Sequence, residues 1–564
     1  MIKMTALLLS ILIPFALQAQ SIVSTKHNLS ASGPGTVKAD KETEICIFCH
    51  TPHNSSPRPP LWNKPDPGQN YTLYGSSTIQ ATLGQPGGSS LLCLSCHDGT
   101  IALGNVLSRP SDIAFTGNVT TMPLGTTNLS TDLSDDHPIS FVYDSALANA
   151  DGELVDPQSL TGLVQLRNQK MECTACHDPH ANAHPSFLLV SAKESELCLY
   201  CHQTDYWNSS SHRTSNATWN NSGTDPWFHT PYTSVRDNAC ENCHNPHTAS
   251  GHTRLLNFSP EEVSCLVCHS GTVASTNIQA QLTKPYRHDV YNYNDGVHDP
   301  EESNVVQARH VECSDCHNPH AVVGNGSSAP NANGRIKGVK GVNTNGSPVD
   351  PISYEYELCY RCHADSFDKP GSSTLRQAIQ SNVRLEFDQN NPSFHPVEGP
   401  GQNSNVPSLI SPYTESSKIF CTDCHASNGS GSPAGPHGSI YPQLLKYNYS
   451  TSDNTPESYQ AYELCYQCHN RAQIINGTSN FAKEVHREHI VGEDVSCNTC
   501  HDPHGISSSQ GSSTNNSHLI NFDISVVSPD SSNRLEFVDG GSFAGECYLD
   551  CHGEEHTGDP EFSY

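Results

Sequence analysis

Twelve close cysteine pairs, each followed at once by a histidine, limit what this chain can become more than any other feature. The 564 residues contain 24 cysteines, and the twelve pairs use every one. Eleven pairs read Cys-x-x-Cys-His. The last, CYLDCH, carries one extra residue between Cys547 and Cys551. A disulfide framework has no need of a histidine after every second cysteine. Zinc sites also use paired cysteines, but twelve histidine-following pairs would be an odd zinc array. Cys-x-x-Cys-His is the attachment signature of c-type haem. Its two thiols bond to the porphyrin edge, and the next residue reaches the iron from one face. The expected cofactor is haem c with its iron, twelve per chain, covalently attached.

The motifs fall into six pairs, an internal repeat. The first pair is Cys46, Cys49 and His50 with Cys93, Cys96 and His97. The second is Cys173, Cys176 and His177 with Cys198, Cys201 and His202. The third is Cys240, Cys243 and His244 with Cys265, Cys268 and His269. The fourth is Cys313, Cys316 and His317 with Cys359, Cys362 and His363. The fifth is Cys421, Cys424 and His425 with Cys465, Cys468 and His469. The sixth is Cys497, Cys500 and His501 with Cys547, Cys551 and His552. The leading member usually continues into Pro-His. In the fifth pair a Gly/Ser-rich insertion displaces that element to Pro436-His437. Short apolar runs recur between partners, at 187–190, 255–258, 444–445 and 519–522. Each is expected to be an extended segment against a haem face or one strand of a plain hairpin. The Gly/Ser/Asn-rich connectors 324–347 and 505–517 read as surface loops.

Apolar residues make up only 35 % of the chain, a low share for its length. Such a composition alone suggests disorder. Twelve flat, mostly apolar macrocycles resolve the conflict by supplying the missing core. About 47 residues per cysteine pair leave a thin coat around them. The expected fold is mostly irregular coil with short helices and a few short strands, wrapped round a chain of packed haems. No helix bundle and no large sheet are expected. The net charge of −29 argues against nucleic acid and anionic lipid as partners. It favours solubility and the docking of basic proteins or cations.

Axial ligands follow from counting. Twelve of the 32 histidines belong to motifs, leaving twenty for twelve distal positions. Of four methionines, Met1 and Met4 lie in the leader, so only Met122 and Met171 could serve. Coordination is expected to be His/His nearly throughout. Methionine raises haem potential, so its scarcity implies low potentials. The Pro-His histidines His53, His180, His247, His320, His437 and His504 are assigned to the second haem of their own pairs. The upstream histidines His27, His137, His229, His288, His395 and His486 are assigned to the first. His298 and His310 remain alternatives to His288, and His489 to His486.

Residues 1–19 read as a secretory signal: Lys3, an apolar run over 6–17, and Ala19 before the expected cleavage. The run is short for a membrane anchor, and Cys46 is too far on for a lipid anchor. No other segment could span a membrane, so the protein is expected outside the cytoplasm. The units expected are 1–19 for the signal, then 20–110, 111–205, 206–275, 276–366, 367–470 and 471–564 for the six haem pairs.

The repeated Cys-x-x-Cys-His-x-Pro-His, with the opening KHNLS…EICIFCHTPHN…PLWN, resembles the multihaem c-type cytochromes with doubled Cys-x-x-Cys-His motifs of metal-reducing and related anaerobic bacteria. The resemblance covers nearly the whole chain beyond the leader. It implies bis-histidine haems packed in a row and electron transfer in the periplasm or beyond the outer membrane. Partners would be other redox proteins or extracellular acceptors such as metal oxides. Some proteins of this kind form filaments, and His27 and His556 are candidates for ligand exchange between copies. The alternative is a reductase of a small nitrogen or sulfur oxyanion with one open haem, best sought at Cys547 and Cys551. Because every motif keeps its histidine, electron transfer without catalysis is the favoured reading.

Overall fold

The structure is a computed structural model, and it describes residues 21–249, 253–292, 298–303, 310–476, 485–541 and 544–558. The leader read over 1–19, with Met1 and Met4, lies outside the described residues. The chain divides into two compact units. One comprises Met1–Gln203 with Asn245–Leu255, and the other Thr204–His244 with Leu256–Tyr564. The first four motifs belong to the first unit and the last eight to the second.

Most of the backbone is turn and coil, as the composition implies. The longest helices are Gly88–His97, Glu261–His269 and Glu355–His363, and each ends on its motif histidine. In all the other motifs but the last the cysteines lie on a single turn, as in Cys173–Ala175, Cys313–Cys316 and Cys497–Cys500. In these turns the histidine N–H donates to the carbonyl of the first cysteine, at 2.8 Å for His50 and 3.0 Å for His177 and His501. One helical turn therefore carries both thiols and the imidazole on one face. Strands are mostly two-residue ladders, such as Ser393–Phe394 against Gly505–Ile506. The exception is a four-stranded sheet of Val527–Ser528, Glu536–Gly541, Ala544–Cys551 and Glu554–Thr557.

Apolar side chains gather into small separate clusters rather than one core. Phe48, Leu103 and Phe115 pack beside Cys49 and Cys96, Tyr356 and Tyr360 beside Cys421, and Phe522, Phe537 and Leu549 beside Cys500, Cys547 and Cys551. Each cluster thus stops at cysteines, where a macrocycle would continue it.

Two connectors expected to be surface loops are exposed over much of their length but carry buried positions. Residues 324–347 contain the buried Ile336, Val339 and Val342, and a ladder between Gly341–Val342 and Pro348–Val349. Residues 505–517 contribute the buried strand Gly505–Ile506. Their few apolar residues are spaced too widely to register as a core segment. The apolar runs take neither expected form fully. Leu188, Leu256, Leu445 and Ile520 each make a single antiparallel bridge to His177, His244, His425 and His501.

Glu398 is buried beside Tyr360, whose hydroxyl donates to it at 2.7 Å. Burial pushes its carboxyl up to about 7, against the Tyr360 hydrogen bond, which lowers it. A raised carboxyl stabilises the fold below its unfolded value of 4.5, and that contribution is lost as pH rises through 7. The effect is on the order of 2 kcal/mol. Glu398→Gln should therefore reduce the fall in melting temperature between pH 5 and pH 8. An unchanged fall in thermal melts of the variant would contradict this.

Candidate haem-binding sites

Histidine rings face each other at one recurring distance. In the first unit the ring centres of His50 and His180 are 6.1 Å apart, His27 and His97 6.2 Å, His177 and His247 6.1 Å, and His137 and His202 6.3 Å. In the second unit His244 and His320 are 6.3 Å apart, His212 and His269 6.1 Å, and His317 and His437 6.1 Å. His288 and His363 are 6.2 Å apart, His425 and His504 6.0 Å, and His486 and His501 6.2 Å. His395 lies near enough to His469 to act on it electrostatically. Two metal–imidazole bonds of about 2 Å, plus about 1 Å from each nitrogen to its ring centre, span about 6 Å. The rings therefore stand where a six-coordinate iron needs them, and the donor set fits haem.

In many of these rings the other nitrogen is occupied, which fixes the tautomer and leaves Nε2 for the facing side. Nδ1 of His50, His97, His177, His317, His425 and His501 bonds the carbonyls of Pro60, Thr127, Ser186, Arg335, Gln443 and His518, at 2.7–3.0 Å. Ser186, Gln443 and His518 hold left-handed backbone, φ 59°, 54° and 56°. That conformation recurs just before the apolar bridge of its repeat. Distal rings are held alike: Nδ1 of His27, His137 and His212 bonds the carbonyls of Pro179, Pro138 and Pro319, each at 2.9 Å. Ser408 Oγ meets Nδ1 of His469 at 2.8 Å.

Burial keeps these imidazoles neutral and their lone pairs available. It holds His177, His269, His425, His469 and His501 at about 4, and His437 and His486 at about 3. His247 and His504 differ. Burial opposes their charge most strongly, but the hydrogen bonds to Asp136 (3.0 Å) and Glu386 (2.9 Å) together with the charge of those and neighbouring acidic groups raise them.

The pairing is offset from the expected one. His180, His247, His320, His437 and His504 face the leading motif histidine of the preceding pair, not the second histidine of their own. A short turn sends them that way. The N–H of His180, His247, His320 and His504 donates to the Asp or Asn two residues earlier, at 2.9–3.2 Å. This Asx turn swings the ring away from its own motif. His437 takes the same part after the displaced loop. His27, His137, His288 and His395 correspondingly meet the second motif of a pair, not the first. His486 faces the first motif histidine of the sixth pair, His501. His53 is exposed and faces no motif histidine ring among the described residues. His229 stands against Phe228, 5.0 Å away, and its expected place in the third pair is filled by other residues. Of the alternatives to His288, His298 meets Glu312 and His310 meets Glu302. Met122 and Met171 both lie in apolar clusters. His212, Asp136 and Glu386 carried no motif that would have singled them out.

The cysteines line up in chain order. In the first unit Cys49 senses Cys96, Cys93 senses Cys173, and Cys176 senses Cys201. In the second the neighbours are Cys243 and Cys268, Cys265 and Cys313, Cys316 and Cys362, and Cys359 and Cys421. Cys424 and Cys468, Cys465 and Cys497, and Cys500 with Cys547 and Cys551 continue the series. Glutamates brace successive pairs. Glu172 accepts from Ser90 N at 3.0 Å, Glu261 from Ser314 N at 3.2 Å, and Glu355 from Thr422 N at 3.1 Å. In the second unit one cavity of about 2550 Å³ runs past the cysteines from Cys243 to Cys551. That exceeds the ~300–1,000 Å³ of a single small-ligand site.

Comparison with known proteins bears on the attachment motifs. The doubled CXXCH motif family matches residues 167–205, 229–274 and 411–474, which contain the second, third and fifth pairs. A multiheme cytochrome MtrA of Shewanella baltica (strain OS185) is 24 % identical over 210 residues, covering 35 % of this chain. The match spans 43 % of that relative's length.

Two tests follow. Imidazole planes are nearly perpendicular for His27/His97 (66°), His137/His202 (77°) and His212/His269 (73°). They are nearly parallel for His50/His180 (14°), His317/His437 (11°) and His486/His501 (13°). Low-temperature EPR of the oxidised protein should show both strongly axial and rhombic low-spin populations; a single rhombic class would contradict the pairing. Carboxylate-bonded imidazoles are stronger donors to a metal. Asp136→Asn and Glu386→Gln should therefore each raise the potential of one haem in a spectroelectrochemical titration, and unchanged titrations would count against that role.

Proposed function

We propose that this chain, a multihaem c-type cytochrome, carries electrons along twelve bis-histidine haems outside the cytoplasm, toward acceptors at or beyond the cell surface. The observation that carries the reading is the run of facing histidine rings. When bound, the haems supply one-electron redox chemistry. The chain anchors each macrocycle edge through two cysteines and holds each iron between two imidazoles. Its carbonyls and carboxylates keep those imidazoles in one tautomer. Strong ligands on both faces leave an iron no place to take substrate, so coordination favours electron transfer over the reductase alternative.

Export is supported by the apolar leader. No helix among the described residues is long and apolar enough to cross a membrane. The charge of −29 suits docking of basic redox partners or of cation-bearing mineral surfaces. Ligand exchange between copies gains no support from His27 or His556, since His27 faces His97 and His556 faces His489 within the chain.

The intact mass of the exported protein should correspond to a chain beginning at Gln20 with twelve haems. All iron should be low-spin, potentials should be low, and the reduced form should bind carbon monoxide negligibly. A high-spin iron that binds carbon monoxide in stoichiometric amount would overturn the reading in favour of a reductase.

A further inference from the structure

The last motif departs from the other eleven in conformation as well as length. Cys547 and Cys551 lie not on a helical turn but in the strand Ala544–Cys551. Strand alternation puts Cys547, Leu549 and Cys551 on one face. Leu549 is only 5 % exposed and packs with Phe522, Val527 and Phe537, so that face looks inward. The next residue cannot share it. His552 and Gly553, with φ 57° and 86°, form the two-residue loop of a hairpin with the backbone signs of a type I′ turn. His552 Nε2 lies 3.0 Å from Asp453 Oδ2, and the side chain is 42 % exposed.

The returning strand Glu554–Thr557 sets His556 directly opposite Leu549. Opposed residues share a sheet face, so His556 stands on the side of the two thiols. Its ring centre is 5.9 Å from that of His489, next to the 6.0–6.3 Å of the other facing rings. His489 also carries their mark: its Nδ1 bonds the Val485 carbonyl at 2.8 Å. His486 and His489 lie on adjoining short helical segments, Val485–Arg487 and Glu488–Gly492, and His486 faces His501.

We infer that the haem anchored on Cys547 and Cys551 is ligated by His489 and His556, and that His552 stays off its iron. This rests on the twelve-haem reading above. The extra residue in CYLDCH thus separates attachment from ligation. A covalent anchor on a strand takes its axial ligands from the neighbouring strand and from the segment that also supplies the preceding site. The terminal haem is six-coordinate without its motif histidine.

The test compares His556→Met, His489→Met and His552→Gln in the full exported chain. Intact mass counts haems, and EPR with absorption spectra reads ligation. In His556→Met and His489→Met, one iron of twelve should leave the bis-histidine class, becoming His/Met or high-spin, with twelve haems retained. In His552→Gln, molecules that carry twelve haems should keep all iron low-spin. If both methionine variants keep twelve unaltered bis-histidine haems, the assignment is overturned. It is equally overturned if twelve-haem His552→Gln gains one high-spin iron. Should His552→Gln fail to attach its last haem, the two methionine variants decide alone. A wild-type mass of eleven haems would instead overturn the twelve-haem reading, and this assignment with it.

Discussion

The hydrogen bond from Nδ1 to a fixed acceptor, found at most of the facing imidazoles, organises this structure. It decides which nitrogen faces outward and in which direction. For the leading motifs the acceptor is a carbonyl presented by a loop that returns to the motif, often through left-handed backbone at a non-glycine residue. Such backbone is costly, and it recurs at the same place in successive repeats. The short bridges of Leu188, Leu256, Leu445 and Ile520 close those loops. Much of the irregular chain is therefore a set of clamps for imidazoles, which explains how so little regular structure gives a defined shape.

The offset pairing makes the repeats interdependent. Each of the first five leading motifs receives its second imidazole from the Pro-His turn of the next pair. In the first unit the segment Asn245–Leu255 brings His247 to His177. In the second, His320, His437 and His504 perform the same task in turn. Only the sixth pair draws its facing rings from its own segment, and the order of sites within each unit follows the order of the chain. Glutamate braces at Ser90, Ser314 and Thr422 reinforce the same neighbours. Asp136 in the first unit and Glu386 in the second add a further layer, since each bears on one of the offset histidines and so can tune an individual site.

The coil-rich fold and the haem-binding class were legible in the sequence because thioether attachment demands a fixed spacing of cysteine and histidine. The crossing of the Pro-His histidines was not. Asp178-Pro179-His180 reads the same whichever way its Asx turn swings the ring, and only folded neighbours show which motif it meets. His212 lacked a flanking signal, and Asp136 and Glu386 look like ordinary acidic residues. The burial of 324–347 was missed because glycine and asparagine dominate it while three spaced apolar side chains carry its packing. The sequence did mark CYLDCH as unusual. Its strand conformation depends on pairing with Glu536–Gly541 and Glu554–Thr557, which the motif alone does not reveal.

The most direct test is an electron cryomicroscopy map of the haem-loaded protein at a resolution that shows axial ligands. His180 should lie over the haem held by Cys46 and Cys49, opposite His50. Finding His180 on the haem of Cys198 and Cys201, with a different residue opposite His50, would contradict the offset arrangement.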